Sequence, residues 1–312
     1  MREKHIIEYC YYVTPDGREY DLFGGQKTLM SWSGIGMATT NYLTDRGVFQ
    51  DGETIRDFRL ESRRVDFEMY QAGCSRDDWW GYVGDMVAKI RPNRGSDRSR
   101  HGQLFIYPST GNAMKIGAAY IDGIRGDWNG LGNQAVTDLR EQVSFFCSDP
   151  VFSLIEPFVI QEEIVIDASC LPFCLPACVG SETINSVYDV DYQGTYEGNR
   201  WTITISGPIV FPQITNQTTA DTIALDYQVS AGETVTINKT PTQVTVTNNF
   251  GQNLIGTVTD LSDLVSWVFA TEGELTSDGV NTIQISGVNG VAGQTAITIE
   301  YDERHISAFK PR

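Results

Sequence analysis

Histidine is nearly missing from this sequence. His5, His101 and His305 are its three copies, one near each end and one after an arginine-rich loop. Their scarcity removes the usual general base and the commonest metal ligand. The motifs that carry catalysis are missing as well: there is no nucleophile elbow, zinc-protease helix or phosphate loop. The stretch "GIGMAT" at 34–39 is glycine-rich, but no helix with a phosphate-binding pattern follows it. These absences predict a protein that is not an enzyme and holds no cofactor. No apolar run approaches the roughly 18 residues of a membrane span. The opening "MREKHIIEYCYYV" lacks both an apolar core and a small-residue cleavage site, which predicts no signal peptide and folding in a cytoplasm.

Positive charge is also short, and unevenly so. Residues 151–312 hold 5 Lys and Arg against 19 Asp and Glu, whereas residues 1–150 hold 18 against 21, and the chain is -17 in total. A surface that binds nucleic acid by releasing counterions is excluded, above all in the second half.

What is present is a regular pattern of strands with one helix. "HIIEYCYYVTPDGREYDL" reads as two strands around a Pro-Asp-Gly turn. "TTNYLTD" and "IRDFRLESRRVDFEMYQAG" follow, and Val65, Phe67 and Met69 alternate with acidic residues at the period of a half-buried strand. In "CSRDDWWGYVGDMVAKIRPN", Ser75 is the expected cap. Trp79, Tyr82, Val83, Met86, Val87 and Ile90 mark one helical face, and Pro92 ends it. "GQLFIYP", "AMKIGAAYIDGI" and "DLREQVSFFCSDP" read as further strands. From Ser181 onward only short Thr, Val and Ile runs occur, such as "RWTITISG", "ETVTINK" and "QTAITIEYD", separated by turn residues. That is the pattern of an all-β sandwich. The expected fold is mainly β with one helix: an α+β domain over 1–155, a connector over 156–180, and a sandwich over 181–312.

The connector holds "CLPFCLPAC", with Cys170, Cys174 and Cys178. A residue before proline prefers extended backbone, and extended chain sets these thiols roughly 13 Å apart, too far for one ion. A helix would align them, but Pro172 and Pro176 disfavour it. A three-thiolate metal site would also need Cys147 or Cys74 as fourth ligand. A stiff connector packing small apolar thiols is the favoured reading; a metal site is the alternative.

The order of parts resembles a phage family, the distal tail proteins that form the hub at the tip of long-tailed phages. "GIGMATTNYLTDRGVFQDGETIRDFRLESRRVDFEMYQAG" resembles the family's paired belt strands, running into the helix that ends "AKIRPN". "EQVSFFCSDPVFS" resembles its strand ending in Asp-Pro. "ISGPIVFPQITN", "LDYQVSAGETVTIN" and "SDGVNTIQISG" resemble strands of its galectin-like C-terminal domain. The likeness extends along roughly residues 5–305. It implies a structural virion protein at the tail tip or baseplate, assembled in the host cytoplasm. In the family a hexameric ring of N-terminal domains joins the tail tube to the baseplate, tape measure or central fibre, and DNA passes through without specific binding.

A ring needs each copy to offer two complementary surfaces. Strands around 58–70, with Phe58, Leu60, Val65, Phe67 and Met69, are the expected suppliers. Arg91, Arg94, Arg98 and Arg100 lie in the one basic loop, "RPNRGSDRSRHG", which either docks on an acidic neighbour or is simply solvated. The alternative function is a carbohydrate-binding adhesin, with Trp201 and Trp267 and the nearby Tyr188, Tyr192 and Tyr196 as sugar-stacking candidates. Carboxylate pairs such as Asp189/Asp191 and Glu162/Glu163 are what any acidic sandwich offers and point to no hydrolase.

Overall fold

The computed structural model describes residues 7–23, 27–48, 51–72, 76–90, 101–109, 111–123, 138–163, 183–273, 278–291 and 293–309. The chain divides into two compact units, Met1–Ile155 with His305–Arg312, and Glu156–Arg304. It is mostly β with one helix among the described residues, as its sequence predicts.

The first unit contains strands β1 (Ile7–Val13), β2 (Glu19–Phe23), β3 (Lys27–Ser33), β4 (Thr40–Asp45), β5 (Thr54–Leu60) and β6 (Arg63–Ala72), helix α1 (Arg76–Ile90), and strands β7 (Gly102–Pro108), β8 (Met114–Asp122), β9 (Asp138–Cys147) and β10 (Phe152–Leu154). Its main sheet runs β2-β1-β7-β8-β9-β6-β3, with β10 on β8. The end strands β2 and β3 are neighbours in sequence. Four residues of chain reach at most about 14 Å, so the sheet must curl back towards its own start. Its concave side holds the core: Tyr12, Leu104 and Ile106 from one half, Phe67, Val143 and Phe145 from the other. Helix α1 adds Met86 and Ile90, one turn apart on one face. Val87, expected on that face, is exposed.

Arg63 ties this unit's loops together. Its side chain is buried, and one guanidinium nitrogen donates to the carbonyls of Gly34 (3.0 Å) and Gly36 (2.8 Å). The other terminal nitrogen donates to the carbonyl of Ile306 at 2.6 Å. The guanidinium also lies 4.6 Å from the centre of the Phe152 ring. Burial lowers its pKa to about 10, yet it stays charged at neutral pH. Two residues beyond Ile306, the Ala308 N–H donates to the Ile35 carbonyl at 2.9 Å and its side chain joins the core. The C-terminal segment therefore belongs to the first unit, whereas the sequence pattern assigned everything after 181 to the second.

The second unit is a sandwich of two antiparallel sheets. The strands are β11 (Phe158–Glu163), β12 (Thr183–Asp191), β13 (Trp201–Ser206), β14 (Ile209–Asn216), β15 (Asp221–Ala224), β16 (Gln228–Val229), β17 (Thr234–Thr240), β18 (Gln243–Asn248), β19 (Val280–Val288) and β20 (Ala296–Tyr301). One sheet runs β11-β20-β13-β17-β18, and the other β12-β19-β14-β15 with β16 also on β14. Strict alternation builds the shared core. In β13, Trp201, Ile203 and Ile205 are buried while Thr202, Thr204 and Ser206 face outward; Ile283 and Ile285 of β19 meet them from the opposite sheet. Phe158–Glu163 fell in the expected connector but pairs along β20 as an edge strand. Residues 164–180 of that connector, with Cys170, Cys174 and Cys178, lie outside the described residues.

A buried cation fixes the long connection between β18 and β19. Lys239 donates to the carbonyls of Val265 (2.6 Å) and Trp267 (2.8 Å), beside the Trp201 ring. Burial lowers its pKa. Methionine at 239 would keep the apolar stem and lose both donors. Hydrogen bonds to charged groups contribute roughly 1.5–3 kcal/mol. Lys239→Met is therefore expected to raise amide exchange across 259–268 by about tenfold or more while the strand cores stay protected. Unchanged exchange in that loop would show that the lysine does not hold it.

Candidate assembly surface

Strands β4 and β5 form a hairpin that pairs with no other strand among the described residues. An isolated two-stranded hairpin is only marginally stable in water, so its side chains show what it is built to meet. Directly opposed residues share a face. The register sets Thr40 against Leu60, Tyr42 against Phe58 and Thr44 against Ile55. Asn41 faces Arg59, Leu43 faces Asp57 and Asp45 faces Thr54 on the other side. Between Leu43 and Thr44 the register slips by one residue, leaving Arg56 as the extra one. That bulge matters because Ile55 and Phe58 are three apart and would otherwise point oppositely. One face thus collects Tyr42, Ile55, Phe58 and Leu60, and the other is largely polar.

This apolar face is not buried within the protomer. Tyr42 is 55%, Ile55 62% and Phe58 48% exposed, and only Leu60, at the hairpin's base, is partly covered. An ion pair from Arg56 to Asp45 at 3.1 Å lies on the surface and adds little rigidity. An exposed apolar face of this kind is a candidate protein contact.

The remaining candidates divide. Phe58 and Leu60 sit on this face, as a contact surface requires. Val65, Phe67 and Met69 do not: all three are core residues of β6. That strand pairs with β3 on one side and β9 on the other, so it has no free edge, and these three side chains are out of a second copy's reach. Their alternation with acidic residues marked burial correctly, but burial inside the subunit. Arg91, Arg94, Arg98 and Arg100 lie outside the described residues, as does Cys74. Tyr42 and Ile55 were missed, because their meaning depends on which residues oppose them and on the bulge.

The other chemical candidates take structural places. Cys10 and Cys147 are buried free thiols, and burial raises both pKa values, which suppresses the reactive thiolate. Among the described residues no group of three or more His, Cys, Asp or Glu is placed to hold a metal ion. Trp201 and Trp267 are core residues in edge-to-face contact at 4.9 Å, not exposed stacking platforms. Tyr192 is also buried, its hydroxyl donating to the Tyr196 carbonyl at 2.7 Å. Asp189 accepts from Thr282 at 2.8 Å on the outward face of its own sheet.

Comparison with known proteins bears on this arrangement. Residues 193–305 match the family model described as siphovirus-type tail component, C-terminal domain. Among solved structures, the Dit protein of phage SPP1, described as a paradigm of the hub adsorption apparatus in phages infecting Gram-positive bacteria, superposes with a TM-score of 0.60 at 12% identity. That match covers 95% of this chain and 99% of the other. A chain of the phage P2 baseplate in its activated conformation with Ca matches with a TM-score of 0.48 at 10% identity, over 95% and 98% of the two chains. No curated protein matches the sequence. The resemblance to distal tail proteins read from the sequence stands, in the second unit's sequence and in the fold of the whole chain.

Proposed function

We propose that this chain, similar in sequence and fold to a phage tail hub, is a structural subunit of a tail tip that assembles into a ring of about six copies. The observation that carries the reading is the match of residues 193–305 to the siphovirus tail-component domain. The exposed apolar hairpin supports the ring: it gives each copy an apolar patch that a neighbouring copy can cover. In this role the first unit builds the ring and joins the tail tube, tape measure or central fibre. The sandwich, which is galectin-like in the family, reaches neighbouring baseplate proteins. The acidic chain suits a channel for DNA, because like charge keeps the passing polymer from sticking.

The test is the mass and image of the purified full-length protein over a concentration series. Closed rings of one discrete size are the expected product at high concentration. A protein that stays a single chain at all concentrations, and joins no ring with tail-tube protein present, would remove the hub reading.

A further inference from the structure

One exposed aromatic ring of the second unit is carried on strained backbone. Phe211 of β14 has a φ of 52°, in the left-handed region that crowds a bulky side chain. By the period of two it would follow Ile209 into the core. The register of β14 against β19 breaks between Val210 and Gln213 instead, which turns Pro212 inward and leaves Phe211 57% exposed. A ring in that position adds little to the core, yet the chain keeps the strain that presents it. Strained residues concentrate at binding sites.

The surface beside Phe211 is the outer face of the sheet β12-β19-β14-β15. The register sets Asn185, Ser286 and Gln213 in one row and Val187, Gln284 and Thr215 in the next. Their side chains alternate with buried Ile184, Ile214, Ile283 and Ile285 and so point outward. The amides order one another: Gln217 donates to Gln284 at 2.9 Å, and Gln284 donates to Asn185 at 2.7 Å. The Thr215 and Thr222 hydroxyls lie 3.0 Å apart, and Thr282 donates to Asp189 at the border. Between Trp201 and Glu303, Lys239 is the only Lys or Arg, and it is buried. The exposed carboxylates Asp226, Asp260 and Asp263 lie in loops rather than on these strands.

We propose that this face binds a neutral saccharide chain, an inference that goes beyond the hub reading and does not depend on it. Sugar hydroxyls both donate and accept, and so do the amides and hydroxyls of these rows. Their mutual hydrogen bonds hold them in place before a ligand arrives, which lowers the cost of binding. The apolar face of a sugar ring packs on an aromatic side chain, and Phe211 offers one at the end of the rows. From Phe211 to Gln217 the strand runs roughly 20 Å, which suits several sugar units rather than one. Charge selects against other occupants. A polyanion meets no cation on these strands, and a basic partner is drawn to the loops that hold the exposed carboxylates. A flat, open face binds one chain weakly, but copies linked in one assembly raise apparent affinity about 100-fold or more.

The experiment applies the full-length protein to an array of neutral oligosaccharides of glucose, galactose, rhamnose and N-acetylhexosamines, with glycerol phosphate polymer and heparin as anionic members. The strongest binder is then titrated by calorimetry. Binding to at least one neutral chain and to neither polyanion is expected. Phe211→Gly relieves the left-handed backbone, so its melting temperature is expected to hold or rise while affinity falls about tenfold. Gln284→Ala, an outward change in the middle of the amide ladder, is expected to weaken binding comparably, with far-ultraviolet circular dichroism unchanged. Binding to no neutral chain at millimolar concentration, binding to the polyanions alone, or full affinity in either variant overturns the proposal. Ring formation, scored on the same samples, decides the hub reading separately.

Discussion

Replacing Arg63 with alanine is expected to unfold the first unit far more easily than any surface change and to leave the sandwich untouched. The side chain is 5% exposed and supplies three hydrogen bonds to carbonyls that have no route to water through it. Leaving each buried acceptor unpaired costs about 1–3 kcal/mol, and the lost stem and ring contact with Phe152 add a cavity. A loss on the order of 3 kcal/mol or more follows, which lowers the midpoint of a unit this size by roughly 6–12 °C. Lysine at 63 is expected to recover only part of it, since a point charge cannot fork between separate carbonyls. Truncation after His305 removes Ile306 and Ala308 and should produce the same localised loss. Hydrogen exchange read unit by unit is the measurement. Protection lost equally in both units, or in neither, would contradict this assignment of the C-terminal segment.

The second large effect concerns assembly. Tyr42→Ser with Phe58→Asp removes both rings from the hairpin's apolar face and places a charge there. Both side chains are about half exposed in the protomer, so the fold should lose little, within about 1 kcal/mol, chiefly the cross-strand pair. Association should suffer heavily, because removing central aromatic anchors costs about 2 kcal/mol or more each. The double variant is expected to remain a single chain at concentrations about 100-fold above those at which the unaltered protein assembles. Mass photometry and light scattering read this directly. Rings of normal size from the double variant would show that this face is not an assembly contact.

The fold was readable where a local rule is also the global one. Val65, Phe67 and Met69 alternate, and β6 is a strand; Thr202, Thr204 and Ser206 interleave with Trp201, Ile203 and Ile205, and β13 is one too. Met86 and Ile90 lie a turn apart and meet the core on one face of α1. Even Pro212 is accommodated: it lacks an N–H, and the register of β14 against β19 breaks between Val210 and Gln213 around it. Legibility failed where pairing decides. "KTLMSWS" became β3 because it closes the end of a curled sheet, and "FVIQEE" became β11 because β20 offers it an edge. Neither segment announces that by itself.

Composition and periodicity by themselves determined that this chain is mainly β with one helix, acidic and poor in catalytic groups. Those properties follow from side-chain chemistry and from periods of two and 3.6, which need no knowledge of distant partners. Tertiary structure alone decided which apolar residues are core and which are exposed. Phe58 and Phe67 sit in the same short stretch of sequence, yet among the described strands β6 has a neighbour on each side and the hairpin has none. It also decided that the last residues fold back with the first unit, because Arg63 and Ile306 are distant in sequence and meet only in space. Burial and exposure are properties of pairs of elements, and no single segment encodes its partner.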